Sequence, residues 1–296
     1  MPVIALQGCF TGIEGTPAIS DSVVKREKIV SKPEDSYLSG IKPQRFGDWV
    51  VGKQWYVTDG KIRLIFGNQP GANDIQEGDI ISYSHVDEVT TVTGDKVAEI
   101  VFVAPSGANV SYRTSLSKES LRAAERVEVP FAVEMSVVDE VNKIMLGKTY
   151  YVVTSSWYDM ANKSRSGRRF VPVKVTDVSP GNAYYPVLLT LDDEEGKPFR
   201  LFMSAGTDAP MPRRFGAMFA LSDPRQRYPE INDVTWQHIV KGVVAGGMTR
   251  EECRLALGAP ATVDRRPGYS ILTEIWTYED GKYLIFEDGV LRSFRQ

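Results

Sequence analysis

Turn-forming pairs punctuate this chain so often that long helices have little room in its first half. Asp59-Gly60, Gly78-Asp79, Thr93-Gly94-Asp95 and Ser106-Gly107 fall between short runs rich in β-branched and aromatic residues. Those runs are WVVGKQWYV (49–57), IRLIF (62–66), DIISYSHV (79–86), AEIVFVA (98–104) and ANVSYRT (108–114). Glycine beside aspartate supplies the positive φ of tight turns, and branched or aromatic side chains suit a pleated, half-buried surface. Each run is read as a strand of an antiparallel sheet. Short strands with frequent turns point to a small barrel or a sandwich. A helix is expected next, over 115–127, with Ser117 as its cap and Leu121 and Ala124 on one face.

The pattern then recurs. Val51-Gly52-Lys53-Gln54-Trp55-Tyr56-Val57 is similar to Leu146-Gly147-Lys148-Thr149-Tyr150-Tyr151-Val152, and IVFVAPSGANVSYRTSLS (100–117) to VLLTLDDEEGKPFRLFMS (187–204). Each member of the second pair ends a strand at a glycine-containing hairpin and starts another with an aromatic residue. We read a tandem duplication of an all-β unit, with a small SH3-like barrel as the expected topology and a sandwich as the alternative. Four cations, Lys163, Arg165, Arg168 and Arg169, crowd a loop of the second unit just after Trp157 and Tyr158. Aromatics beside guanidinium groups suit an acidic protein surface, a phosphate or a glycan acid, so these six residues are the candidate partner-binding set. The plainer reading is a solvated hairpin tip.

The last 64 residues carry sharper signals. Asp233 is placed to cap a helix VTWQHIVKG (234–242), with Trp236, Ile239 and Val240 at helical spacing. Thr249 and Glu252 form a T-x-x-E capping box for a second helix, with Met248 and Cys253 placed as its hydrophobic staple, and Gly258 and Pro260 end it. Strands ILTEIWTYE (271–279), KYLIFE (282–287) and VLRSFR (290–295) come next, joined by Asp280-Gly281 and Asp288-Gly289. The order GGMTREECRLALGAP, EIWTY, LIFEDGVL resembles the BamE/SmpA/OmlA-like domain of small bacterial outer-membrane lipoproteins through Gly247, Met248, Thr249, Leu257, Gly258, Pro260, Trp276, Tyr278, Phe286, Gly289 and Leu291. Beta-lactamase inhibitor proteins are similar in their α-α-β-β-β unit. The resemblance implies an envelope-associated, non-enzymatic binding module, and it covers only this last part of the chain.

At the other end, Leu6-Gln7-Gly8-Cys9 resembles a lipobox, with FTGIEGTPAIS (10–20) as a tether like those of Bacteroidota lipoproteins. A peptidase cutting before Cys9 needs the small residue ahead of it, and a free thiol takes the diacylglycerol. The departure is that no Lys or Arg precedes Cys9 and only VIAL stands for an apolar core, so a true start would lie upstream of Met1. The alternative is a first strand with Cys9 buried. A short capped helix is expected after Ser20-Asp21, through about Lys28.

Taken together, the expected fold is mainly β plus α+β. Residues 1–46 are a truncated signal, lipobox, tether and short helix, 47–127 and 128–230 two β-barrel-like units, and 231–296 the BamE-like domain. A net charge of -3 gives no basic excess for nucleic acid. Two cysteines, Cys9 and Cys253, and two histidines, His85 and His238, lack metal-ligand spacing, and no cofactor or metal is implied. Ser115-Leu116-Ser117-Lys118 matches S-x-x-K with no K-T-G after it, and Asp192-Asp193-Glu194-Glu195 reads as a solvated turn. No catalytic residue is assigned. The expected role is a lipid-anchored envelope protein, on the outer membrane, in the periplasm or on the surface, binding a protein or cell-wall partner. An enzyme inhibitor or a cell-wall hydrolase is the alternative.

Overall fold

The computed structural model describes residues 33–206, 213–268 and 271–296. The lipobox with Cys9, the tether and the helix read over 20–28 lie outside the described residues. The described chain is mixed α and β, built on three mostly antiparallel sheets.

The first sheet holds β1 (Gln54–Val57), β2 (Ile80–Thr90), β3 (Lys96–Val103), β4 (Asn109–Arg113) and β5 (Ala132–Glu134), in the order β4-β3-β2-β1-β5. Two of the expected strands differ. IRLIF is a helical turn, α2 (Ile62–Phe66), preceded in the chain by a short first helix α1 (Pro33–Ser36). Its apolar positions fit either period over five residues. Burial decides: Ile62 and Phe66, four apart, are buried, whereas Leu64 is 76% exposed. WVVGKQWYV is a strand only from Gln54, because Gly52 turns the chain with φ 88 and its N–H bonds Tyr83 O. The helix after β4 is α3 (Lys118–Ala123), and its cap Ser117 accepts the N–H of Ser120 as expected. Trp55, Phe102, Phe66, Ile81 and Ile100 form the centre of this sheet's own core.

A helix that sequence reading missed, α4 (Met135–Met145), begins directly after β5 and buries Val137, Val138, Val141 and Met145. It packs on the second sheet: β6 (Thr149–Val152), β7 (Ser156–Tyr158), β8 (Ser164–Ser166), β9 (Val171–Pro180), β10 (Val187–Asp192), β11 (Pro198–Met203) and β12 (Phe219–Ala220). Its order is β12-β6-β9-β10-β11-β7-β8. A short helix α5 (Phe215–Met218) leads into β12. Strip off the β7–β8 hairpin and the remaining order matches the first sheet strand for strand. In each, Gly52 or Gly147, both at positive φ, opens the first strand.

Helices α6 (Asp233–Lys241) and α7 (Arg250–Leu257) precede the third sheet. The α6 cap is Asn232, whose side chain accepts the N–H of Thr235 at 2.9 Å, one position before the expected Asp233. The Thr249–Glu252 capping box of α7 is present in both directions, and Met248 and Cys253 are both buried. The sheet has four strands where three are expected: β13 (Thr262–Pro267), β14 (Leu272–Thr277), β15 (Tyr283–Glu287) and β16 (Val290–Arg295), in sequence order. All six residues of β13 are exposed, so no apolar alternation marked it. Trp236, Ile239, Cys253, Trp276 and Phe286 belong to the same apolar cluster as Val175, Leu189 and Phe199 of the second sheet.

Candidate protein-binding surface

The hairpin β7–β8 forms one edge of the second sheet and carries four of the six residues singled out by sequence. Its register pairs Trp157 with Arg165 and Tyr158 with Ser164. The turn is tied by Asp159, whose Oδ1 accepts the N–H groups of Ala161 and Lys163, each at 2.9 Å. Trp157 is the hairpin's anchor. It stacks on Phe199 with ring centroids 3.7 Å apart and planes 10° from parallel, and its indole N–H bonds Thr154 O at 3.0 Å. Tyr158 meets Phe202 edge-on at 5.1 Å and lies under the Arg213 guanidinium at 5.3 Å. Arg213 also donates to Phe202 O at 2.7 Å, so it seals the hairpin against the sheet.

The four cations have separate fates. Lys163 and Arg165 are exposed, and the Arg165 guanidinium sits 5.7 Å from the Trp157 ring centre. Arg168 leaves the hairpin and meets Asp193 at 3.4 Å, Glu194 at 3.6 Å and Glu195 at 3.8 Å. Burial raises the Asp193 carboxyl, but the N–H groups of Lys197 and Glu195 and the charge of Arg168 outweigh that and hold it below its usual range. Arg169 turns toward the third sheet's helices. It donates to Leu255 O at 3.2 Å, its backbone N–H bonds Val240 O at 2.9 Å, and burial draws its pKa down. The hairpin therefore presents two exposed cations, Lys163 at its turn and Arg165 beside the Trp157 ring. Arg168 is paired with the acidic turn, and Arg169 is engaged inside the fold.

A second polar centre escaped sequence reading. Lys53 Nζ lies 2.5 Å from Glu134 Oε1, 2.7 Å from Gln44 Oε1 and 3.1 Å from Ser136 Oγ, and Ser136 donates to the same Glu134 oxygen at 2.5 Å. The partners are 81 and 83 residues apart in sequence, so no local spacing could reveal them. A serine beside a lysine is a nucleophile–base pair only when the amine has a free lone pair. Here Lys53 donates to three oxygens at once, the bonding of an ammonium. The set is a buried ion pair at the joint between β5 and α4. A cavity of about 190 Å³ adjoins it, lined by Trp55, Phe131, Val133, Glu134 and Tyr184.

The other reactive-looking groups are placed for structure. Cys253 is fully buried, and burial pushes its thiol up to about 12. Lys118 donates to Val86 O at 2.8 Å. Ser84, His85 and Asp87 form a polar chain along β2, at 2.9 and 3.2 Å, with His85 and Asp87 about half exposed. Among the described residues no cluster of His, Cys, Asp or Glu is arranged to hold a metal ion, and no helix is long and apolar enough to cross a membrane. The chain matches no family model, no curated protein and no solved structure.

Proposed function

We propose that this chain is a non-enzymatic binding or scaffold protein of the bacterial cell envelope, fastened through a lipid on Cys9, with the β7–β8 hairpin as its contact surface for a protein or cell-wall partner. The observation that carries the binding role is the hairpin itself. Lys163 and Arg165 are exposed and have no ion-pair partner among the described residues, and Arg165 lies over the Trp157–Phe199 stack on a sheet edge that ends in an exposed strand. A rigid aromatic base under exposed guanidinium and ammonium groups is the pattern of an anchor for acidic surfaces. The envelope address rests on the Leu6–Cys9 lipobox and on the likeness of 246–291 to BamE-like domains. Two helices over a meander support that likeness, and β13 is an added edge strand. In the first two sheets, four strands form a meander and a short fifth returns beside the first. That connectivity supports an SH3-like reading for both.

Two measurements test the proposal. Intact-mass analysis of natively expressed protein should show a diacylglyceryl or triacylated Cys9, and Cys9→Ser should move the protein from the membrane to the soluble fraction. An unmodified thiol in native material removes the anchor. Separately, the double variant Lys163→Ala/Arg165→Ala should lose partners in a pull-down from envelope extract while unfolding within about 0.5 kcal/mol of wild type. An unchanged partner list removes the hairpin from the function.

A further inference from the structure

The third sheet and α7 form a larger, half-open cavity, about 770 Å³, that the hairpin does not touch. Its floor is Trp276 and Glu274, and three arginines face it from three places: Arg250 and Arg254 on α7 and Arg265 on β13. Glu274 is the centre of the arrangement, with its side chain only 3% exposed. Its Oε1 takes a short bond from Arg250 and lies 3.6 Å from Arg265, and its Oε2 accepts the Trp276 indole N–H at 3.3 Å. Gly289 leaves room for Arg250, since a Cβ there would lie 3.3 Å from the guanidinium. Arg254 lies over the Trp276 ring at 5.2 Å and has no carboxylate partner among the described residues.

Ion pairs between one buried carboxylate and largely exposed guanidinium groups contribute little net stability, because the carboxylate must leave water and the cations remain screened. What Glu274 supplies is orientation. It bonds the Arg250 guanidinium and draws that of Arg265 to 3.6 Å, and both line the cavity with donors to spare, since their side chains are 45% and 68% exposed. Planar, pre-aimed guanidinium groups match a carboxylate in two-point fashion. The lining also sets the class of ligand. Two more carboxylates border the cavity, Asp288, which accepts the Leu272 N–H at 3.0 Å, and exposed Glu251. Three arginines against three carboxylates give no excess for a polyanion or a dianion. Leu255 and Val263 add apolar wall beside the arginines.

We propose that this cavity binds a protein segment presenting a single carboxylate next to an apolar side chain, with Arg254 and Arg265 gripping the carboxylate and Val263 and Leu255 receiving its neighbour. The site goes beyond the hairpin and stands whether or not the hairpin finds a partner.

The alternation of β13 supplies the control. Arg265 pairs across from Glu274 on the helix side, and Arg266 pairs with Thr273 on the opposite face, so either substitution removes the same charge. Three fluorescein-labelled probes serve in an anisotropy titration of the full chain: a hexapeptide amide with one glutamate between two leucines, its glutamine counterpart, and a leucine-rich peptide with a free terminal carboxylate. The glutamate peptide should bind roughly tenfold tighter than the glutamine one, and Arg254→Gln and Arg265→Gln should each weaken it by roughly that factor. Arg266→Gln should leave it unchanged, and thermal melts should show all three variants folded. Tighter binding of the third probe, with the same arginine dependence, identifies a chain terminus as the carboxylate's source. Equal binding of the glutamate and glutamine peptides, equal effects of Arg265→Gln and Arg266→Gln, or no peptide binding overturns the proposal. So does arginine-dependent binding of vesicles of anionic phospholipid in place of peptide.

Discussion

Gly167 shows how one residue can hold a surface in place. A Cβ there would fall 2.0 Å from the Trp157 ring, closer than any real contact, so the tryptophan seats on the sheet only because residue 167 has no side chain. Gly167→Ala should destabilise the protein by about 1–3 kcal/mol through overpacking, read as a lower urea midpoint. An unchanged midpoint would mean that Trp157 is not seated as described. Residue-scale legibility in the sequence depended on distance along the chain. The Thr249–Glu252 box and the Met248–Cys253 staple were readable because every partner lies within five positions. Arg169 was not, because its burial depends on Val240 and Leu255. The candidate hairpin was found from its cations, but which of them stay free could be decided only by the acidic turn 192–195 and by α7. The Glu274 cavity left no local trace, since it joins α7 to two strands of the third sheet.

At the scale of elements, the joint between β5 and α4 is the most consequential. Glu134 ends a strand of the first sheet, and Met135 begins the helix that covers the second. Lys53, from the turn before β1, locks that corner. Glu134→Ala should cost about 3–5 kcal/mol, because it leaves a buried ammonium without its counter-charge. The pair Lys53→Met with Glu134→Leu should recover most of that loss. Guanidinium unfolding of Lys53→Met, Glu134→Leu and the double variant closes the cycle, and a cost under 1 kcal/mol for Glu134→Ala would show the pair to be solvated. Elements with strong periods were legible: β2, β3, β10, α6 and α7. The rest were misread or missed, α4 despite the helical spacing of its buried Val137, Val138, Val141 and Met145. IRLIF suits two periods, α4 begins without a side-chain cap, and β13 has no apolar face. The repeat was legible in letters only weakly, but the matched strand orders show that the order of its features carried real information about connectivity.

For the whole molecule, the larger core contains two buried acids of the neutral kind, Cys253 and Tyr150, and a half-buried third, Tyr278, packs against it. Burial pushes the Cys253 thiol from 9.0 to about 12 and the Tyr278 phenol from 10.0 to about 12, and burial with the Tyr37 hydrogen bond raises Tyr150 further. In the unfolded chain these groups ionise at their ordinary values, whereas in the folded chain they stay protonated. Below pH 9 neither state ionises and stability is unaffected. Between about 9 and 12 the unfolded chain gives up protons first, so stability falls as pH rises. A melting temperature tracked from pH 8 to 11.5 should be level at first and then drop steeply above about pH 9. A flat profile would mean that these groups are hydrated.

The shared core of the second sheet and the C-terminal helices also fixes when each part of the chain can settle. The first sheet, with its own cluster, is complete once Glu134 has emerged from the synthesising machinery. The second sheet is not complete when its last strand ends at Ala220, because the cover over Phe170 and its neighbours comes from Trp236 and later residues, as far as Leu291. Nearly the entire polypeptide must therefore be made, and kept from sticking to its neighbours, before the middle of it can come to rest.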